Sequence, residues 1–354
     1  MKLIDKYFKK SKTISVDRFL ENALYDKQLG YYANKNPFGK NGDFITSPAV
    51  SHLFSEMIAI WFVSLWENLK KPKIFNIVEL GPGDGTLCKT LIQTFKKFPE
   101  FDRSSNIFLY EKSKVLREIQ KKNIKIKKVS WIKNSNIIKN GPVIFFGNEF
   151  FDAIPIKQFK KKDGILYEKF LQKKNKDKIK SILKKALKSD LKQIKKFKTI
   201  KNAKFIEFPK KGFKELSWIT KKIKKLGGGI LLVDYGYLNH ENKNTLQSLK
   251  FHKKNNIFSN VGQADITSLV NFNLLKNYFF LNKMYVSNVV SQSFFLKKLG
   301  ILNRAEILSK KMSFKEKSDL YTRLQRLLDK RHMGELFKVI FAYKSKTTTP
   351  LGFI

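Results

Sequence analysis

The 354-residue sequence is poor in the residues on which disulfide bonds, metal centres and membrane spans depend. Cys88 is its single cysteine, which excludes a disulfide or a thiolate metal cluster within one chain. Its four histidines lack the spacing of metal ligands, so we expect no metal. The longest apolar stretches, such as MIAIWFVSLW, are too short to span a bilayer. With a reduced thiol and no signal-peptide pattern, the chain is expected to be soluble and cytoplasmic.

Arginine is also scarce, although the formal net charge of the chain is +43. Only seven of its 72 basic residues are arginine, and the others are lysine. Base recognition and bidentate phosphate binding favour the planar guanidinium of arginine. Phe, Ile, Asn, Tyr and Lys are abundant together, and their AT-rich codons explain the lysines as a genome bias. We therefore expect no specific nucleic-acid partner and interpret the lysines as solvated surface.

What the sequence does contain is a regular alternation of apolar strands and amphipathic helices, with 42% hydrophobic residues. Residues 1–70 are predicted to form a helical cap around a Gly/Asn/Pro loop, in which Ser47 caps a long helix. Residues 71–354 predict an α/β domain whose mostly parallel sheet carries helices on both faces. Insertions are expected at about 160–225 and 291–332. A further helix is expected around ADITSLVNFNLLKNYF.

The first predicted strand of this domain, IFNIVEL, ends at a glycine-rich loop. Glu79 is followed by three glycines at alternate positions, Gly81, Gly83 and Gly85. Glycines let the backbone turn tightly and approach a ligand, and open parallel sheets bind ligands at the carboxyl ends of their strands. The spacing is not the G-x-G-x-x-G of dinucleotide folds, and no Gly-Lys-Ser/Thr phosphate loop is present. The next strand ends in Glu111, whose carboxylate can accept both hydroxyls of a ribose.

An acid before alternate glycines, with a second acid at the end of the next strand, is the pattern of class I S-adenosylmethionine-dependent methyltransferases. This ligand has no pyrophosphate, so it needs no anion cradle, and Glu79 can balance the charge of its ammonium group. We therefore predict S-adenosyl-L-methionine as the cofactor, bound by Glu79, the three glycines and Glu111. The alternative is a strand-to-helix turn whose glycines serve only tight packing.

Further motifs follow in a fixed order from Gly30 to Phe341. They are GYY…PFGKNGDFITSP, VELGPGDGTL, NEFFDAIPIKQF, LLVDYGY, TLQS, GQADITSLVNF, SQSFFLKKLGI and MGELFKVIF. Together they resemble the MidA/NDUFAF7 family of class I protein arginine methyltransferases. The resemblance implies a Rossmann-like methyltransferase fold, methylation of an arginine in a protein substrate and, from the mitochondrial branch, a link to the assembly of respiratory complex I.

The sequence departs from the family pattern at four positions. They are Asp84, Ala49, Gln263 and Asn244, where relatives commonly carry arginine, glutamate, glutamate and aspartate. None of them touches the three glycines or NEFFDA. The departures leave the cofactor prediction intact and concern the details of substrate binding.

The motif NEFFDAIP carries the candidate catalytic residues, because the resemblance implies that Asn148 and Glu149 end the fourth strand of this fold, directly beside the methyl donor. A guanidinium is a poor nucleophile while it is fully delocalised. Carboxylates can hold it bidentately, polarise it and stabilise its charge, which makes Glu149 and Asp152 the candidates. Asn148 keeps open an amide-type nucleophile, which would need asparagine or carbonyl partners. The alternatives are a helix-start acid for Asp152 and a surface salt bridge for Glu149.

The GDFITSP loop and a later strand supply weaker candidates. Asp43 and Thr46 are predicted to reach across the cofactor, since loops on rigid scaffolds often carry binding residues. The alternative for this loop is a turn in which Asp43 is a local cap. Asp234 and Tyr235 end the later strand and are interpreted as substrate-side contacts.

Three functions remain open at this point. The first is methylation of an arginine in a protein such as a respiratory complex I-type subunit. The second is a non-catalytic assembly chaperone that binds a partner subunit and is stabilised by S-adenosyl-L-methionine. The third is RNA methylation, which the charge suggests and the lack of arginine-rich or aromatic-interleaved basic patches disfavours. The acids and glycines favour an active enzyme.

Overall fold

The computed structural model describes residues 3–8, 12–34, 37, 46–126, 128–175, 178–239, 242–345 and 351–354. In this part of the chain the strands are β1 (Thr13–Ser15), β2 (Phe75–Leu80), β3 (Ser105–Tyr110), β4 (Val129–Ile132), β5 (Val143–Asn148), β6 (Lys157–Lys162), β7 (Ile165–Asn175), β8 (Lys178–Lys185), β9 (Phe205–Phe208), β10 (Gly228–Tyr237), β11 (Gln247–Lys250), β12 (Lys253–Asn255), β13 (Asp265–Thr267), β14 (Val270–Asn271), β15 (Tyr285–Val286), β16 (Val290–Ser291) and β17 (Phe337–Tyr343). The helices are α1 (Leu3–Phe8), α2 (Val16–Tyr25), α3 (Tyr31–Asn34), α4 (Ser47–Val50), α5 (His52–Asn68), α6 (Thr86–Phe95), α7 (Pro99–Ser104), α8 (Lys114–Ile124), α9 (Lys188–Ile194), α10 (Lys210–Leu226), α11 (Phe272–Leu281), α12 (Gln292–Lys298), α13 (Ile301–Ser309), α14 (Phe314–Leu328) and α15 (Met333–Leu336).

The main sheet determines where a ligand can bind. Its central path runs β15-β17-β10-β5-β2-β3-β4, in which the strands from β10 to β4 are parallel and β17 is antiparallel to β10. The chain moves outward from β2 to β3 and β4, and then returns to the other side of β2 as β5. The carboxyl ends of β2 and β5 therefore flank the switch in strand order, where open α/β sheets bind ligands. The predicted α/β fold class is confirmed, and β4 is a strand that the sequence did not reveal.

Helices cover both faces of this sheet, so its strands are apolar on both sides. All six residues of β2 are buried, and alternate side chains enter different cores. Ile77 and Phe146 pack on the face covered by α5 and α6, whereas Val78 and Phe145 pack on the face covered by α10 and α11. Burying each of these side chains contributes roughly 2 kcal/mol, so the sheet is a rigid base for its loops. No helix in the described ranges combines the length and the hydropathy that crossing a membrane requires.

The N-terminal region and the lysine-rich insertion share a second, antiparallel sheet. Its order is β1-β7-β6-β9, with β8 paired to β7, and Thr13 lies opposite Gln172. Phe19 and Leu20 of α2 pack in one apolar cluster with Leu171 of β7 and Ile266 of β13. The N-terminal helices are thereby fixed beside the carboxyl edge of the main sheet. The division into two domains with insertions stays a prediction.

Two helix predictions are wrong, the first because of the backbone at Ser51 and the second because of strand pairing. Thr46, rather than Ser47, is the N-cap of α4, and Ser51 interrupts the long predicted helix with an extended backbone at φ −156°. The Ser51 hydroxyl then caps α5 by accepting a hydrogen bond from the Leu53 N–H at 3.2 Å. The helix expected around ADITSLVNFNLLKNYF begins only at Phe272, because β13 in its first part pairs with β11.

Candidate active site

A cavity of about 870 Å³ lies at the carboxyl ends of β2, β3 and β5. It brings together predicted residues that are distant in the sequence. Its lining includes Thr46, Glu79, Gly81, Gly83, Glu111, Asn148, Glu149 and Asp152. Gly85 lies at the N-terminus of α6, next to this lining. Asp43 falls outside the described residues, so its predicted role stays a prediction.

The glycine loop turns in a conformation that other residues adopt only with strain. Gly81, Gly83 and Gly85 have φ angles of +63°, +58° and +85°. A Cβ atom on Gly81 would lie 3.1 Å from Cδ2 of Phe150, which forms part of the cavity wall. A Cβ on Gly85 would lie 3.0 Å from Cδ1 of Ile124. The glycines therefore allow both the left-handed turn and the close packing around it.

Glu79 presents an uncompensated carboxylate beneath this loop. Its side chain is 5% exposed, and its Oε2 atom is buried with no hydrogen-bond partner among the described residues. Burial, and secondly the charge of Asp84, raises the pKa of Glu79 to about 8. A buried carboxylate without a partner is costly, so this one is suited to a positively charged ligand group.

Glu111 is held by its surroundings, and Gln120 supplies a contact that the sequence did not reveal. Glu111 accepts hydrogen bonds from the Ser113 N–H at 2.7 Å and from Nε2 of Gln120 at 3.3 Å. The same Nε2 donates to the Gly83 carbonyl oxygen at 2.8 Å. Trp131 in turn donates to Oε1 of Gln120 at 2.9 Å. Gln120 therefore fixes the carboxylate relative to the glycine loop.

Glu149 stands in a strained position at the end of β5. Its φ angle of +52° is uncommon for a residue with a side chain, and such strain concentrates at functional sites. Its Oε1 accepts hydrogen bonds from the Ser47 N–H at 3.3 Å and from Nδ2 of Asn148 at 3.2 Å. Burial, and secondly the nearby Asp152 charge, raises the pKa of Glu149 to about 8. No lysine of the described ranges forms an ion pair with it.

Asp152 is a second buried acid with free hydrogen-bonding capacity. It is 6% exposed, and its Oδ1 has no partner among the described residues. Burial raises the pKa of Asp152 to about 6, against the hydrogen bond from the side chain of Tyr235, which lowers it. It does not begin an assigned helix, so the helix-start alternative does not apply.

Asp234 supports the segment that carries Phe151 and Asp152 instead of facing the cavity. Its Oδ2 accepts hydrogen bonds from the N–H groups of Phe151 at 2.8 Å and Asp152 at 3.2 Å. Its Oδ1 accepts from the N–H of Tyr235 at 3.0 Å. Burial raises its pKa, and the charge of Asp152 adds to the effect. The interpretation of Asp234 as a substrate contact is therefore replaced by a supporting role for the backbone that carries Asp152.

Residues from the N-terminal helices and from β13 complete the cavity. Tyr25 donates to the Ala153 carbonyl oxygen at 3.0 Å, and its ring stacks on that of Tyr32 at 5.4 Å. The Tyr32 hydroxyl lies 3.3 Å from both carboxylate oxygens of Asp265, which is buried and lines the cavity. The motif GQAD contained Asp265, but no pattern in the sequence assigned it to this site.

The cavity gathers acidic side chains, although the chain is strongly basic. Although the chain carries +43, the carboxyl groups of Glu79, Glu149, Asp152 and Asp265 are gathered in one cavity. The described lysines of the lining are mostly exposed. A cavity with this concentration of acids is suited to a cationic group.

Comparisons with known proteins agree with this geometry. Residues 57–288 match the model of the family described as "Putative S-adenosyl-L-methionine-dependent methyltransferase". The chain is 30% identical to "Protein arginine methyltransferase NDUFAF7, mitochondrial" of Xenopus tropicalis, over 95% of this chain and 84% of that protein. It is 28% identical to the human protein of the same name, over 92% of this chain and 78% of that protein.

Solved structures show the same fold. A crystal structure of a COG1565 superfamily member from Burkholderia thailandensis, bound to S-adenosyl-homocysteine, has a TM-score of 0.81 at 20% identity. It covers 98% of this chain, which covers 92% of that structure. A native structure of a COG1565 protein from the same organism also has a TM-score of 0.81, at 19% identity, with coverage of 99% and 92%. At these identities the likeness concerns the fold.

Proposed function

The chain belongs to the S-adenosyl-L-methionine-dependent methyltransferase family, and from this membership we propose that it methylates an arginine side chain of a protein substrate. The family confirms the resemblance drawn from the sequence motifs. The observation that carries the choice of arginine is the pair of neighbouring acids, the half-buried Glu149 and the buried Asp152, in an acid-lined cavity of a basic chain.

The residues at the carboxyl ends of β2 and β3 fit the cofactor. The unpartnered Oε2 of Glu79 can bind the ammonium group of its amino-acid end. Glu111 can accept the ribose hydroxyls, and the absence of a side chain at Gly81 leaves room beside Phe150. S-adenosyl-L-methionine supplies an electrophilic methyl group on a sulfonium when it is bound.

Glu149 and Asp152 are suited to bind and deprotonate a guanidinium. Their pKa values of about 8 and about 6 fall when a cation enters the cavity, because opposite charge favours the ionised carboxylate. Both can then accept hydrogen bonds from the planar N–H groups of an arginine. Methylation removes one proton from the attacked nitrogen, and an ionised carboxylate at this position can accept it. The amide of Asn148, which donates to Glu149, serves to hold that carboxylate.

Asp265 and the two tyrosines give the substrate side of the cavity its selectivity. The Asp265 carboxylate is oriented by the Tyr32 hydroxyl, and the stacked ring of Tyr25 adds an aromatic surface beside it. A guanidinium binds both carboxylates and aromatic faces. This combination selects a cationic planar group over a neutral amide.

The partner and the compartment are parts of the same proposal. The protein substrate is a respiratory complex I-type subunit, which rests on the motif resemblance alone. The curated relatives are named as mitochondrial proteins. For this chain we retain a cytoplasmic location, which the single, buried Cys88 supports, because a lone thiol is suited to a reducing compartment.

Transfer of a labelled methyl group tests the proposal. The protein is incubated with S-adenosyl-L-methionine labelled in the methyl group and with whole-cell lysate, wild type beside Glu149→Ala. We expect a labelled protein band that the variant does not produce. Cofactor binding without any labelled product would contradict the proposal and favour the assembly chaperone. Label that nuclease removes would favour RNA methylation.

A further inference from the structure

The C-terminal helices contact α4, beside the cavity, through one buried glutamine. Gln292 is the first residue of α12 and is fully buried. Its Nε2 donates to the Leu327 carbonyl oxygen in α14 at 3.0 Å, and its Oε1 accepts from the Ser47 hydroxyl at 3.2 Å. The two bonds fix which end of the amide faces α14 and which faces α4.

Ser47 connects this glutamine to Glu149. The Ser47 side chain is fully buried, and its backbone N–H donates to Oε1 of Glu149 at 3.3 Å. Oε1 also accepts from Asn148 at 3.2 Å, whereas no described residue donates to Oε2. The polar contacts therefore form a continuous path from Leu327 through Gln292 and Ser47 to one oxygen of Glu149, and the other oxygen stays available to a ligand.

The position of Ser47 needs an anchor from outside its own helix. Helix α4 has four residues, Ser47–Val50, and an isolated turn of that length has little stability of its own. Its neighbours Thr46, Pro48 and Ala49 line the cavity, so a small rotation of α4 would move both the cavity wall and the N–H that holds Glu149. The hydroxyl bond to Gln292 opposes that rotation.

We propose that Gln292 is a positioning residue of the methyltransferase, which orients the Glu149 carboxylate through Ser47. The role in catalysis rests on the proposed function of Glu149. A residue that served only the end of α14 would need the bond to Leu327 and nothing more. The second bond, to Ser47, is what makes Gln292 part of the site.

The pKa of Glu149 is the readout that a purely structural residue would not change. The Ser47 N–H is one of the two groups that lower this pKa, which burial raises to about 8. The full-length protein is labelled with carboxyl-13C glutamate and titrated by NMR, and Glu149→Gln assigns the signal. The variants are Ser47→Ala and Gln292→Leu. Thr94→Val is the control, because Thr94 is a buried hydroxyl that donates to Thr90 in α6, away from Glu149.

We expect both variants to raise the pKa of Glu149 by roughly 0.5 to 1, the size that the loss of one hydrogen bond predicts. The double variant should add little to the single ones, since both remove the same contact. Thr94→Val should leave the pKa unchanged. If Gln292→Leu does not fold, Ser47→Ala alone decides. An unchanged Glu149 pKa in folded Ser47→Ala would overturn the proposal. The titration needs no substrate, so it still decides if no arginine is methylated.

Discussion

Replacing Glu79 by glutamine tests the electrostatics of the cavity without any ligand. In the folded chain the pKa of Glu79 is raised from 4.5 to about 8, first by burial and then by Asp84. The folded state therefore retains a proton that the unfolded chain releases, and the wild type loses stability as pH rises through this window. At about 1.4 kcal/mol for each pKa unit, the loss amounts to roughly 5 kcal/mol at most.

Chemical denaturation of the wild type and Glu79→Gln at pH 5, 6, 7, 8 and 9 measures this effect. A glutamine does not titrate, so the difference in unfolding free energy between the two proteins should change steadily from pH 5 to 8 and then level off. The cost of burying the new amide does not depend on pH, and the other acids of the cavity titrate in both proteins. Neither therefore contributes to the change of this difference with pH. A difference that is independent of pH would refute the reasoning.

Three further predictions concern the loops around the cavity. Gly81→Ala places a Cβ at φ +63° and 3.1 Å from Phe150, so calorimetry should show affinity for S-adenosyl-L-methionine reduced about tenfold; unchanged affinity would contradict the close-packing argument. The value of kcat/KM should rise as pH increases from about 6 to about 8, because Asp152 and Glu149 must ionise; a flat profile would exclude them as proton acceptors. Asp234→Asn replaces one carboxylate oxygen by an NH2 group, which cannot accept a hydrogen bond from a backbone N–H. We expect kcat to fall at least tenfold while the affinity for the cofactor stays within about twofold. A loss of cofactor affinity with unchanged kcat would place Asp234 on the cofactor side.

The strand ends that carry Glu79, Glu111 and Glu149 were predictable because parallel strands bring their carboxyl ends to one edge. A continuous apolar run shows where each strand stops, and an acid at that point can be placed near the others without further information. The glycine spacing then excluded a dinucleotide-binding fold and a phosphate loop. The fold class followed from the same alternation of strands and helices.

The contacts made by Gln120, Gln292 and Asp265 could not be predicted in this way. An uncharged amide in a helix has no pattern that distinguishes a buried anchor from a surface residue. Gln292 and Ser47 are 245 positions apart, and only the packing of α12 and α14 against α4 brings them together. Asp265 was assigned to a helix, whereas pairing with β11 makes it part of a strand. Tertiary contacts outweighed local pattern in each case.

The identity of the methylated amino acid tests the central claim most directly. Protein labelled by the wild-type enzyme is hydrolysed to amino acids, and the labelled species is identified by mass spectrometry, with Glu149→Ala as the control. The acidic cavity around Glu149 and Asp152 predicts methylarginine, absent from the control. Label recovered as a methylated glutamine, asparagine or lysine, or methylarginine formed equally by the variant, would contradict it.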